Sequence, residues 1–277
     1  MKYIIIPDVH GRKFWRPVIE EYINQDVKFI FLGDYLDPYD WEEIEDEFKE
    51  LTDIIEYKKE YPDKFILLLG NHDLHYLSQE VRGSRWDFSN SKRNREKFMD
   101  NLDLFQLTYT VEVAGKIFYF SHAGVNQDWI NFAILDSEED KNDIITFDKL
   151  PDFNKMFKDE ETRHKFFTAA GWVSMNRGGG HITGSIVWAD CYDHLDKALR
   201  IPGIIQVFGH TQQESEPLNF DNELFCLDVR RHFILTEDGK ILDSKTNEEI
   251  PVTDSAPVFE ENQKRLKKLL SLYSMFF

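Results

Sequence analysis

The sequence predicts an α/β protein built on parallel strands, and three observations carry that expectation. Short apolar runs, "YIIIP" (3–7), "VKFIFLG" (27–33) and "KFILLLG" (64–70), stop at Pro or Gly and show no polar alternation, as strands buried on both faces do. The segments between them are long and periodic enough to be helices. Nearly every run ends in a carboxylate, an imidazole or an amide, at the place where α/β sheets collect ligands.

Taken in order, the first helix lies in "RKFWRPVIEEYINQ", where Phe14, Val18 and Tyr22 recur at four-residue steps. Pro17 fits only a first turn, so the helix starts near it. The second, "WEEIEDEFKELTDIIEYKKEY", puts Ile44, Phe48, Leu51 and Ile55 on one stripe. Strand, helix, strand, helix, strand implies right-handed crossovers. "LTYTVEVAGKIFYFSH" reads as a hairpin turning at Ala114 and Gly115. A polar, helix-leaning stretch follows, an insertion or cap over about 126–170. Four further strand-like runs are "GSIVWAD" (184–190), "GIIQVFGHT" (203–211), "ELFCLDV" (223–229) and "HFILTEDGKIL" (232–242). After Pro257 a basic, apolar helix is expected over about 258–277, packing its Leu266, Leu269 and Leu270 stripe on the body. With no repeat or linker, residues 1–277 read as a single domain.

A chain of 277 residues with 42% hydrophobic content can bury a full core. Its 51 acidic and 33 basic residues give a formal charge of −18, which argues against non-specific nucleic-acid binding and against attraction to an anionic membrane. Phosphate-bearing substrates remain, because metal ions or a few arginines can reverse the field locally. Cys191 and Cys226 lack metal-type spacing and read as reduced thiols. No stretch is long enough to cross a bilayer, and the opening apolar run is too short for a signal sequence, so a cytoplasmic location is expected.

The strand ends hold the chemistry. Asp8 and His10 follow the first run, Gly33, Asp34 and Asp37 the second, Asn71, His72 and Asp73 the third; His122 and His210 end later runs. Each fragment alone is an ordinary turn sequence. Five together have no common packing explanation, since a core does not accommodate them. Carboxylate, imidazole and amide oxygen suit borderline dications, Mn²⁺, Fe²⁺ or Zn²⁺, and the lack of thiolates argues against a structural zinc.

The ordered set "DVHG", "GDYLD", "GNHD", "SHAG" and "FGHT" resembles the motifs of calcineurin-like metallophosphoesterases, in the phosphoprotein phosphatase branch that includes bacterial diadenosine tetraphosphatases. That resemblance implies a layered α/β/β/α sandwich of two mixed sheets flanked by helices. It also implies a phosphoester hydrolase using two divalent metal ions, manganese foremost with iron or zinc as alternatives, and the hydroxide they activate. By the same resemblance Asp8 and His10 bind one metal, Asp34 bridges, and Asn71, His122 and His210 bind the second. His72 is the general acid and Asp37 its partner. A carboxylate hydrogen-bonded to an imidazole favours the protonated ring. The implied substrate is a phosphomonoester of the serine/threonine phosphatase type, on a small molecule or phosphopeptide. "GNHDLHYL" favours a dinucleoside polyphosphate or other nucleotide as the alternative, and a binding module without turnover is the reading from another class.

One position departs from the pattern. The phosphatases place Arg after the residue matching Asp37, and this chain has Pro38. Arg12 is the nearest replacement in sequence, and Arg85, Arg177 and Arg230 are candidates to reach the cleft on folding. His75 and Tyr76 are candidate substrate contacts, Asp73 a cap or an orienting group, and the Gly178–Gly180 run a loop.

Overall fold

The computed structural model describes residues 1–39, 46–81, 83–135, 144–254, 260, 264 and 267. The first half alternates as expected: β1 (Lys2–Ile6), α1 (Trp15–Tyr22), β2 (Val27–Phe31), α2 (Glu47–Glu60) and β3 (Phe65–Leu68). Pro17 sits in the first turn of α1, where its missing N–H costs nothing. Asp46 caps α2 by accepting from the Lys49 N–H at 3.0 Å. Ile44 lies outside the described residues; Leu51 and Ile55 are buried on the inner face of α2 with Ile54. There follow α3 (Asn71–Leu77), α4 (Ser91–Met99), β4 (Phe105–Gln106), β5 (Tyr109–Val113) and β6 (Lys116–Phe120). Ala114 and Gly115, at φ 52° and 74°, make the two-residue turn between β5 and β6.

Between residues 126 and 170 the described chain contains three α-helices, α5 (Gln127–Trp129), α6 (Phe153–Lys158) and α7 (Glu160–Ala170), joined in part by non-helical stretches. The remaining strands are β7 (Ile205–Phe208), β8 (Leu218–Phe220), β9 (Leu224–Cys226), β10 (Phe233–Leu235), β11 (Ile241–Asp243) and β12 (Glu248–Glu249). Of the helix expected over 258–277, residues 260, 264 and 267 are described and helical; the rest lies outside the described residues.

Two of the later expectations need correction. The run 184–190 is not a strand but a buried series of turns: Ser185 N–H bonds the Trp172 carbonyl, and the N–H groups of Trp188 and Ala189 return to the Ser185 carbonyl. A short apolar run says that a segment is buried without saying how its backbone is paired. The run 232–242 is two strands, because Asp238 and Gly239 at φ 75° fold it into a hairpin.

Among the described residues the strands form two mixed sheets, ordered β12-β11-β10-β1-β2-β3-β4 and β5-β6-β7-β9-β8. The centre of the first is parallel through β1, β2, β3 and β4, and the second is parallel at β6, β7 and β9. Tyr3, Ile5, Ile30, Leu32, Ile66 and Leu68 project from the first sheet onto Phe118, Phe120, Val207 and Phe225 of the second, forming the core between them. The opposite faces of β1, β2 and β3 carry Ile4, Ile6, Phe29, Phe31, Phe65 and Leu67 against Trp15 and Ile19 of α1 and Leu51, Ile54 and Ile55 of α2. Period-two alternation thus serves two cores at once, which is why the strands read as continuous apolar runs. This is the layered α/β/β/α arrangement. Cys191 and Cys226 are free and buried, and no helix of the described residues is long and apolar enough to cross a membrane.

Candidate metal centre

β1, β2 and β3 run parallel in the first sheet and β6 and β7 in the second, and the residues after their carboxyl ends meet in one place. The backbone there is strained: His10, Asp34, Asp37 and His210 adopt φ of 46°, 52°, 59° and 64°. A left-handed backbone at a non-glycine residue costs on the order of 1 kcal/mol, so four at neighbouring strand ends must be held by surrounding bonds. Those bonds are present. His10 N–H donates to the Asp34 carbonyl at 2.7 Å, and His210 N–H to both Asp8 oxygens at 3.1 Å. His72 N–H donates to Asp34 Oδ1 at 2.9 Å. Asp73 accepts from the N–H groups of Asp34, Tyr35 and Gly70 at 2.8 to 2.9 Å, tying the exits of β2 and β3 together and capping α3. A Cβ on Gly70 would run into Asp34 Oδ1 and His122, and one on Gly209 into Asp8 Oδ1. Both glycines leave the space that the carboxylates occupy.

The six residues expected to bind metal converge. Asp8, His10 and Asp34 offer ligand atoms within 4.8 Å of one another, as do Asp34, His122 and His210, and all are buried. Asp34 belongs to both groups: its Oδ2 stands 3.5 Å from His10 Nε2 and 3.5 Å from His122 Nε2. His122 Nε2 also lies 3.0 Å from Asn71 Oδ1 and 3.1 Å from His210 Nδ1. An amide oxygen, two imidazole nitrogens and a carboxylate oxygen therefore face one point, and one shared proton cannot satisfy them. The rings are set for this by their other nitrogens, since the carbonyls of Leu36 and Leu32 each lie 2.8 Å from Nδ1, of His10 and His122 respectively, leaving Nε2 turned inward. Among the described residues, His210 Nε2 is buried with no hydrogen-bond partner.

The electrostatics ask for positive charge. Burial would raise Asp34, but the imidazoles of His122, His72 and His10 outweigh it and hold the carboxyl well below its usual range. Burial pushes Asp8 up to about 6, with the Asp34 charge adding and His122 opposing. His122 goes up to about 10: burial acts downward, and the carboxylates of Asp34 and Asp8 overcome it. Burial takes His10 down to about 3, so its ring is a neutral donor. Asp228, buried beside Asp8 and Asp34, is pushed well above the carboxylate range; Arg12, partly buried, acts on it in the opposite sense. Two cations fit this donor set.

Next to the cage stands a second cluster. His72 Nδ1 is 2.9 Å from Asp37 Oδ2, and Tyr76 Oη donates to Asp37 Oδ1 at 2.5 Å. His75 Nε2 lies 2.7 Å from the same Oδ2 but off the line a hydrogen bond needs, so the contact is electrostatic. Burial would raise Asp37; the two imidazoles prevail and hold it low. Asp37, His72 and His75 are as close together as the metal groups, yet Arg85 Nη2 sits 2.8 Å from His72 Nε2, and a cation there would meet a guanidinium. His75 and Tyr76 enter through α3, whose opening "GNHD" is locally a turn sequence: positions three and four beyond His72 share its helical face. Arg177 Nη1 approaches Asp190 at 3.7 Å, and Arg230 is exposed.

The fold is similar to that of a cold-active protein-tyrosine phosphatase from the psychrophile Shewanella sp., at a TM-score of 0.53 and 16% identity over 87% of this chain and 76% of that one. It is more loosely similar to a serine/threonine phosphatase from Saccharomyces cerevisiae, at 0.49 and 12% over 92% and 81%. No curated protein matches it in sequence. The family model for calcineurin-like phosphoesterases matches residues 1–214, most of the chain and every strand end described above; the chain belongs to that family of metal-using phosphoester hydrolases.

Proposed function

We propose that the protein is a phosphomonoesterase of the serine/threonine phosphatase type that works with two divalent cations, manganese foremost and iron or zinc as alternatives. Asp8 and His10 would hold one cation, Asn71, His122 and His210 the other, and Asp34 both. The observation that carries this reading is the meeting of buried acceptors around Asp34 and His122 Nε2. When bound, such a pair supplies an acidified water and positive charge for phosphoryl oxygens. His72 stands at the rim of the cage, its ring 5.3 Å from that of His10, with Nε2 directed away from Asp37. Its part is to give a proton to the leaving oxygen, and Asp37 fixes the ring for that transfer. The resemblance of "GNHDLHYL" to bacterial diadenosine tetraphosphatases supports a second reading, cleavage of a dinucleoside polyphosphate.

The test is metal-depleted protein resupplied with Mn²⁺, Fe²⁺ or Zn²⁺ and assayed on an aryl phosphate, a phosphopeptide, a diester and diadenosine tetraphosphate. Monoester turnover is expected only with metal, at two equivalents by elemental analysis. Cleavage of the tetraphosphate alone would move the assignment to the second reading, and inertness with every metal and substrate would overturn both. His72→Ala is expected to retain both equivalents and lose roughly 100-fold in kcat, the usual size of an acid–base contribution. Metal loss in that variant would show that the ring is a ligand instead.

A further inference from the structure

The missing arginine at position 38 leaves the site without a guanidinium from its own strand end, and the structure brings one from elsewhere. Arg85 lies on the loop between α3 and α4, thirteen residues beyond His72. Its Nη1 donates to the Asp37 carbonyl at 2.5 Å, its Nη2 reaches His72 Nε2 at 2.8 Å, and its Cζ lies 3.3 Å from the centroid of the Tyr39 ring. Tyr39 in turn sets its ring 5.1 Å from that of His10 and remains 45% exposed. The guanidinium is thus half-buried at the mouth of the cage, between the residue assigned as proton donor and open solvent.

The loop that carries it is fixed at both ends of the site. Trp188 Nε1 donates to the Val81 carbonyl at 3.2 Å, its ring lies 5.5 Å from His210, and a Cβ on Gly83 would strike that ring. Arg85 itself has φ 60°, a backbone state that a non-glycine side chain adopts only when its surroundings impose it. Val81 and Gly83 therefore sit on the His210 side of the centre and Arg85 on the His72 side.

Arginine is always protonated, so in its contact with His72 it donates and Nε2 accepts; the ring takes up from solvent the proton it gives to the leaving oxygen once the guanidinium has moved off. A leaving oxygen that approaches Nε2 must displace the guanidinium, and phosphoryl oxygens are the nearest anionic partner it can take instead. A guanidinium fork binds two oxygens at once. A monoester has three non-bridging oxygens and two charges; a diester has two and one. A fork that adds to cations already holding oxygen therefore gains most from the monoester.

We propose that Arg85 grips the phosphoryl group in place of the arginine absent at Pro38, and that it selects terminal, doubly charged phosphates over diesters. This rests on the phosphoesterase reading above. The experiment compares wild type, Arg85→Ala, Arg85→Lys and Gly83→Ala, all loaded with Mn²⁺. The readouts are kcat and KM on an aryl monoester and a bis-aryl diester, inorganic phosphate binding by calorimetry, and Tm. Arg85→Ala is expected to weaken phosphate binding and raise the monoester KM by about 10- to 100-fold, the scale of a lost bidentate contact, while diester kcat/KM changes by less than about threefold. Arg85→Lys should fall between, and Gly83→Ala should follow Arg85→Ala because it displaces the loop. Unchanged phosphate binding in Arg85→Ala overturns the proposal. So does an equal loss on both esters with a lowered Tm, which would make Arg85 a prop for residues 37–39. If wild type turns over neither ester, the functional reading fails; calorimetry still decides Arg85, because phosphate bound by wild type and lost in Arg85→Ala supports the grip, and equal or absent binding overturns it.

Discussion

Tyr76 reaches the proposed acid, His72, through Asp37. Burial and the adjacent Asp37 carboxylate raise its phenol far above the working range, so it is a hydroxyl donor at any usable pH. Its bond to Asp37 Oδ1 fixes the carboxylate whose other oxygen holds His72. Tyr76→Phe should lower kcat by about tenfold, the measure of one charge-assisted hydrogen bond, with KM and metal content unchanged. Unaltered kcat would mean that His72 and His75 position Asp37 without help. The residues proposed as ligands, such as Asp8, Asn71 and His210, are legible in the sequence because each stands directly after an apolar run. Tyr76 and His75 read only as candidate substrate contacts, because their place beside Asp37 depends on a helix beginning at Asn71, and "GNHD" reads locally as a turn. Arg85 is one of several arginines the sequence offers to the cleft, and its bonds to Asp37 and His72, with the anchoring of Val81 on Trp188, single it out.

At the scale of elements, the start of α2 supports the same carboxylate from behind. Glu47, its first residue, accepts from the Asp37 N–H at 2.8 Å and so stabilises the left-handed turn there. Burial, with the charges of Asp37 and Asp87 adding, pushes its pKa up to about 7 from 4.5. For a carboxyl raised on folding the sign is unfavourable. Below pH 4.5 the group is protonated in both states; between 4.5 and 7 the unfolded chain releases a proton that the fold retains, and stability falls through that window. The full loss above pH 7 is at most about 3.5 kcal/mol, taking about 1.4 kcal/mol per pK unit. Glu47→Gln keeps an acceptor for Asp37 and removes the penalty. Its Tm should exceed wild type by about 5 °C at pH 8 and match it near pH 4.5, by calorimetry at both. Equal curves at pH 8 would show that Glu47 ionises without cost. The central strands were plain in sequence because burial on both faces removes any ambiguity of pattern, whereas 184–190 misled because turns packed against Trp172 and Ala123 need the same apolar residues.

Across the whole molecule the charge balance opposes the chemistry. A formal charge of −18 surrounds a centre proposed to take a phosphate anion, so on that reading attraction comes from within the cleft, from the proposed cations and Arg85, over a range shorter than the surface repulsion. Salt separates the two ranges. At about 10 mM ionic strength the Debye length is about 30 Å, comparable to the molecule, and the acidic surface repels an approaching dianion; at about 150 mM it is about 8 Å, which screens the surface but leaves direct contacts in the cleft. Monoester kcat/KM should therefore rise two- to threefold between those conditions, through faster association, while kcat at saturation stays level. A fall with salt would mean that the field of the cleft reaches past the acidic shell and steers substrate in from a distance. In that case neutralising Arg85 should flatten the salt dependence, whereas in a repelling field it should leave the upward slope in place while lowering the whole curve.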